Sequence, residues 1–517
     1  MEELKDLVYI INRYTVRNID VITNPEKKKT KDELRYWEFY IGIDKDTWKT
    51  EDEAAQHFGY QSKGDKGFRR LKENLKDRLL TTILFLEGDQ VSSSEKIKKI
   101  QKLNRLFAIS EVLRHKGSNS MHLEVTKDAL SLAIEVENLL LIMYLSNTLR
   151  GYYYQRPSDK KEFDKYSKLF ENSWPAFQVQ TELQNDYLQL SSSLVNQKGY
   201  KISEVNRVKS LYSKNENHIK NYNHLMINVY ARTIEIYSKT IEHDWEGGVI
   251  ASNSALEYLA TKGINGIEFC TPFGNQKAGC LLMLGKYEEA IVTLNDLIVH
   301  IGEGKPSWFK NREIAAVTNL YAENYQGCWD LVQMVLNHER FMVIPEVDQE
   351  TWRLYFGYLH FIGKVENKSY WDNDDQSTSR FRLSRLMNEM PNYTQDKRGG
   401  NIPLLILQVL FLLSDLKEHK DNFDMICNKI DAIKKYSSRN LDEKSEHFRS
   451  DCFINLLGLL PKHLHNPKTL IKTAHNTLHS MSTVQAEVVD NSFEVEVVPY
   501  ERQWAWIMYY VEQAASK

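Results

Sequence analysis

The sequence predicts an all-α chain whose larger part is a right-handed α-solenoid of stacked helical hairpins. Three observations carry this. Glycine (23) and proline (11) are scarce in 517 residues, which suits long helices and disfavours an all-β fold. Three aromatics, Trp245, Tyr287 and Trp329, recur at a 42-residue interval. Their surroundings are similar: His243-Asp244-Trp245-Glu246-Gly247, Gly285-Lys286-Tyr287-Glu288-Glu289-Ala290 and Gly327-Cys328-Trp329-Asp330-Leu331. An interval of 34 to about 47 residues in a helical chain marks stacked helix pairs, because one pair cannot bury its apolar face alone. Convincing period-2 alternation occurs only near the end, at Phe493-Glu494-Val495-Glu496-Val497.

Residues 1–90 form the first region. Leu4, Leu7, Val8 and Ile11 fall on one helical face, Pro25 and Lys27-Lys28-Lys29 mark a loop, and residues 34–40 read as a short helix with Trp37 and Tyr40. Thr50-Glu51-Asp52-Glu53 is a capping-box pattern that opens another helix. After a turn over residues 60–67 comes a helix with Phe68, Leu71, Leu75, Leu79, Ile83 and Leu86 on its apolar stripe. The pair resembles a helix-turn-helix with a long turn. Its second helix carries Lys66, Arg69, Arg70, Lys72, Lys76 and Arg78 against Glu73 and Asp77. Lys66, Arg69, Arg70, Lys72 and Lys76 are therefore candidates for following a nucleic-acid backbone. The plainer reading is the solvated face of an amphipathic helix.

Residues 91–224 read as helical hairpins. Breaks at Lys116-Gly117-Ser118-Asn119, Arg156-Pro157-Ser158-Asp159, Trp174-Pro175 and Lys198-Gly199-Tyr200 are spaced as hairpins require. Tyrosines crowd here, including Tyr152-Tyr153-Tyr154, Tyr187 and Tyr212. Helix packing with the hydroxyl reaching solvent accounts for them better than a ligand groove.

Residues 225–395 hold the repeats. Leu282-x-Leu284-Gly285-Lys286-Tyr287-Glu288-Glu289-Ala290 resembles the centre of a tetratricopeptide repeat. That resemblance implies a helix–turn–helix unit with a Gly-x-Tyr turn, and close helix crossings at Ala290 and at Ala278. The interval departs from the family's 34 residues, and Leu294 and Leu297 stand where it prefers an aromatic and alanine. Gly285 and Gly327 share the repeat register with the aromatics, and Trp371 continues the interval. Trp245, Tyr287 and Trp329 read as plugs between pairs, each burying apolar surface worth about 2–3 kcal/mol.

Residues 396–517 form a helical cap. Three helices follow a linker at residues 391–400. A strand or hairpin is expected near 486–498, and a last helix places Trp504, Ile507, Met508 and Val511 on one face. Trp506 and Tyr510 lie off that stripe and are candidates for docking a partner. Covering the last apolar face of the stack is the plainer role.

Composition limits function. Charged residues (26%) and hydrophobic residues (42%) are ordinary for a folded chain, and a net charge of −3 opposes wholesale attraction to nucleic acid or lipid. The longest strongly apolar run, residues 403–413, is half a bilayer span, so no membrane is expected. The charged start does not read as an export signal, and five scattered cysteines read as free thiols. A cytoplasmic protein follows, and abundant Lys, Asn, Ile and Tyr suit a bacterial AT-rich genome. No phosphate loop, dinucleotide fingerprint, zinc-protease helix or nucleophile elbow occurs. His463 and His465 lack further ligands at metal spacing, and His115 and His122 are as weak. No catalytic residue, cofactor or metal is assigned, and no enzyme is expected. The expected function is a non-catalytic protein-binding scaffold or adaptor using the concave face of the solenoid. The alternative is a regulator that contacts nucleic acid through residues 66–86 and senses a partner through the repeats. Oligomeric state is open.

Overall fold

Every regular element among the described residues is helical. The computed structural model describes residues 2–14, 31–84, 95–117, 119–154, 157–196, 202–263, 267–366, 381–391, 401–419, 421–440, 448–484 and 496–515. The chain divides into two compact units, Met1–Pro175 and Ala176–Lys517. The boundaries expected near residues 90, 224 and 395 fall inside these units.

In the first unit, α1 (Glu2–Tyr14), α2 (Lys31–Asp44), α3 (Glu51–His57) and α4 (Lys66–Leu84) share one core. Phe39 sits at its centre, its ring 5.9 Å from Trp48, 5.2 Å from Phe58 and 5.7 Å from Phe68. The indole of Trp48 covers Gly42, where an added Cβ would fall 2.0 Å from the ring. Next come α5 (Glu95–His115), α6 (Asn119–Glu135) and α7 (Leu139–Tyr153), each packed on its neighbour. His122 is buried between α5 and α6, its Nδ1 3.0 Å from the Ser110 carbonyl oxygen, so it is a core histidine. Helix α8 (Lys160–Asn196) begins in the first unit and ends in the second.

In the second unit, α9 (Ile202–Asn221) leads into three helix pairs. These are α10 (Leu225–Ile241) with α11 (Trp245–Thr261), α12 (Ile267–Met283) with α13 (Tyr287–Ile298), and α14 (Pro306–Tyr321) with α15 (Tyr325–Leu336). Successive helices pack on each other, and so do the first helices of successive pairs, α10 on α12 and α12 on α14. Ala278 and Ala290 are fully buried in one cluster with Leu281, Leu294 and Ala315.

One turn recurs within each pair, and also joins α6 to α7. The first helix ends on a residue with positive φ: Glu137 (59°), His243 (57°), Gly285 (72°) and Glu323 (57°). The next N–H closes a bond across six residues at 2.9 Å: Asn138 to Ala133, Asp244 to Lys239, Lys286 to Leu281 and Asn324 to Asn319. This is the Schellman arrangement. The residue that closes one helix also caps the following one. Asn138, Asp244 and Asn324 each accept the N–H three residues on, from Leu141, Gly247 and Gly327. A left-handed non-glycine residue costs about 1–2 kcal/mol, and a good N-cap contributes about 1 kcal/mol. The exception is consistent with this balance: Gly285 has no left-handed cost, and Lys286 makes no side-chain cap.

These turns locate the aromatics. Trp245 and Tyr287 are each the first residue of their helix, but Trp329 is the fifth of α15, and Tyr325 holds the first position. The structural interval is therefore 42 and then 38 residues. Trp329 is nonetheless buried, 5.5 Å from Phe356 in a stacked pair. Trp371 lies outside the described residues.

The chain continues through α16 (Glu346–Glu366), α17 (Leu383–Asn388) and α18 (Asn401–Ser414). Helix α18 is apolar on all sides because it is buried on nearly all sides, and the Tyr358 hydroxyl donates to the Pro403 carbonyl at 2.9 Å. Then follow α19 (Asn422–Asn440), α20 (Phe448–Leu457), the single turn α21 (Leu460–His463), α22 (Pro467–Ser482) and α23 (Tyr500–Ala515). The expected C-terminal strand or hairpin is not seen. No strand occurs among the described residues, residues 486–495 lie outside them, and residues 496–499 are irregular chain running into α23. Glu496 in that stretch is drawn to a buried arginine.

Candidate functional site

Three surfaces were expected to matter: the basic helix α4, the first helices of the pairs, and the last helix. At α4 the local sequence sets the geometry well. Thr50 Oγ1 accepts the Glu53 N–H at 3.2 Å, and the Glu53 carboxylate accepts the Lys49 N–H at 2.9 Å, so the start of α3 is fixed. Gly59, at φ 80°, ends it. The connection is then held from α2. An Arg35 guanidinium N–H donates to the Phe58 carbonyl at 2.8 Å, and the group lies 5.3 Å from the Tyr60 ring centroid. A Cβ on Gly67 would meet Tyr60 at 2.4 Å, so only glycine lets α4 start this close.

The structure divides the five expected cations. Lys72 pairs with Glu51 at 2.9 Å and Lys76 with Glu3 at 2.7 Å. The hydrogen bond to Glu3 raises the Lys76 pKa and lowers that of Glu3. Both lysines act as links from α4 to α3 and α1, which corrects their assignment to a free basic face. Arg78 lies 4.5 Å from the Tyr36 ring centroid. Lys66, Arg69 and Arg70 are exposed, at i, i+3 and i+4 on the side of α4 away from Phe68, Leu71, Leu75 and Leu79. Lys63, in the turn, was missed by the sequence reading. It lines a cleft of about 650 Å³ with Arg69 and Lys72 and with the acids Glu51, Asp52 and Glu73.

The first helices of the pairs carry buried polar atoms. Among the described residues, Gln276 Oε1, Asn311 Oδ1, Arg232 Nε and Arg312 Nε have no hydrogen-bond partner. Burial lowers the pKa of both arginines. Burial likewise raises Asp348, helped by Glu313.

The last helix is corrected at Trp506. Its side chain is buried, 5.6 Å from Phe361, because α23 packs on both α18 and α22, and a second stripe is covered. Tyr510 is half-buried beside the same ring, and burial pushes its hydroxyl up to about 12. Neither ring stands free for a partner.

Two features gave no signal in the sequence. The first is Arg449, which donates to both oxygens of Glu496 and of Glu501 at 2.7 to 2.9 Å, and to the Met481 and Val484 carbonyls. It ties α20, the end of α22 and the start of α23 together. The second is His360 on α16. Its ring stacks on Phe381 at 4.3 Å and meets Phe356 and Trp329 edge-on at 4.4 and 5.4 Å. Burial in this aromatic cage lowers its pKa to about 4.

No helix among the described residues is long and apolar enough to cross a membrane. The chain matches no family model, no curated protein and no solved structure.

Proposed function

We propose that the chain is a non-catalytic protein-binding scaffold or adaptor, with its partner surface on the helix pairs of residues 225–336. In this reading the pairs are degenerate tetratricopeptide-like units in a right-handed stack. The observation that carries it is the packing of α10 on α12 and α12 on α14, which makes the first helices one continuous layer. A continuous inner layer is the surface that stacked helix pairs offer to an extended partner.

The test is cross-linking of the full chain in extract of its own cells, with cross-linked peptides mapped by mass spectrometry. The reading expects one protein partner linked mainly to α10, α12 and α14, over an interface of about 1,000 Å² or more. It expects Gln276→Ala to weaken that link without lowering the melting temperature. A partner mapped to other helices, or turnover of a small molecule by the purified chain, would overturn it.

A further inference from the structure

We propose a second, independent binding function: the first unit contacts the phosphate backbone of duplex DNA through Lys63, Lys66, Arg69 and Arg70, without Lys72 or Lys76. The argument rests on how the fold spends its positive charges. Arg35, Lys72, Lys76 and Arg78 each engage another element of the bundle, at the Phe58 carbonyl, Glu51, the exposed Glu3 and the Tyr36 ring. The side chains of Lys63, Lys66, Arg69 and Arg70 make no ion pair or hydrogen bond among the described residues. They are grouped on the turn and the first five residues of α4.

Each nearby acid keeps its charge but accepts from another group and not from these four side chains. Glu51 is held by Lys72, Asp52 accepts the Lys63 N–H at 2.7 Å, Glu53 accepts the Lys49 N–H, and Asp65 accepts the Gly67 N–H at 2.7 Å. Glu73 lines the same cleft as Lys63 and Arg69, and with Asp77 it ends the cationic stretch along α4. The group of unpaired cations is therefore short and sits at the start of α4, the second helix of a pair that resembles a helix–turn–helix. That end is the one such motifs present to DNA. Lys66 to Arg70 covers roughly 6 Å of helix axis, well within a major groove about 12 Å wide. The turn is preformed by Arg35 and by the Gly67–Tyr60 contact, so little ordering is needed on binding. The large exposed apolar residues described nearest the patch in sequence are Leu34 and Leu80, outside the turn and the first half of α4. A protein interface needs an apolar centre, whereas a polyanion does not, so DNA suits this patch better than an acidic protein.

The test is fluorescence anisotropy of the full chain with a labelled mixed-sequence duplex of about 30 base pairs. Four neutralised phosphates give a salt slope near −3.6, so raising salt from about 50 to 200 mM should weaken binding on the order of a hundredfold. Arg69→Glu with Arg70→Glu should weaken binding at least about tenfold, while Lys76→Gln should change it less than about twofold. Thermal melts check that the variants fold, and Lys63→Ser with Lys66→Ser carries the test if the charge reversal does not. The proposal is overturned by absent binding at about 50 mM salt and tens of micromolar protein. It is equally overturned by binding that survives both double variants, by Lys76→Gln losing as much, or by polyglutamate binding as tightly as DNA.

Discussion

Replacing His360 by phenylalanine should make the second unit less sensitive to acid. The imidazole lies in a cage of Trp329, Phe356 and Phe381, and burial lowers its pKa from 6.5 to about 4. Below pH about 6.5 the unfolded chain takes up a proton at this residue while the folded chain does not. Stability is therefore full above that value and is lost as pH falls toward 4. At pH 4.5 the expected loss is about 2.5 kcal/mol, from about 1.36 kcal/mol per unit with the folded form partly protonated. That is a large part of the roughly 5–15 kcal/mol that holds a domain folded. Phenylalanine keeps a flat ring in the cage and removes the titration. Its altered packing shifts stability equally at both pH values, so it cancels from the difference. Urea denaturation followed by circular dichroism at pH 7.5 and 4.5 reads the effect. The parent should lose about 2.5 kcal/mol more than His360→Phe between the two. Equal losses would show that the ring reaches solvent and charges freely.

Other outcomes follow from the same structure. His243→Gly should stabilise by about 0.5–1 kcal/mol by relieving a left-handed residue. Glu323→Gly should gain less, because Glu323 also pairs with Arg502 at 2.6 Å. Equal gains in thermal melts would mean that this exposed pair contributes nothing. Arg449→Met should cost about 3–5 kcal/mol in urea melts, since it strands buried Glu496 without its cation. A cost below about 1 kcal/mol would mean that Glu496 turns to solvent. Trp329→Ala should cost about 3–5 kcal/mol, and an unchanged melting temperature would contradict its burial.

Helices and their apolar stripes could be read from the sequence because they depend on local spacing. Of the stripe expected on α4, Phe68, Leu71, Leu75 and Leu79 are buried, Ile83 is partly buried, and Leu86 lies outside the described residues. The turn at Gly285 could be read because glycine announces a left-handed residue. The same turn at Glu137, His243 and Glu323 could not, since those side chains carry no such mark and the cost is met by the following cap. The aromatic interval drew attention to Trp329 instead of Tyr325 because spacing alone cannot tell the first residue of a helix from the fifth. Trp506 was placed off the buried stripe because a helix packed on two neighbours buries two stripes. The division of cations on α4 was hidden because it depends on Glu51 and Glu3, 21 and 73 residues away in sequence. Arg449 was hidden for the same reason, with partners 47 and 52 residues distant.

The turn shared by the helix pairs also governs where the chain can change length. At residues 242–244 and 322–324 one residue completes the outgoing helix and begins the incoming one. An inserted residue there would break the closing bond and the cap together, and rotate the second helix off its partner. Among the described residues, the connections after α13 and α15, residues 299–305 and 337–345, are longer and carry no such shared residue. Within a pair the shared residue fixes the register, and after α13 and α15 no such residue constrains it. Drift there keeps the helices stacked while blurring any constant period in the sequence.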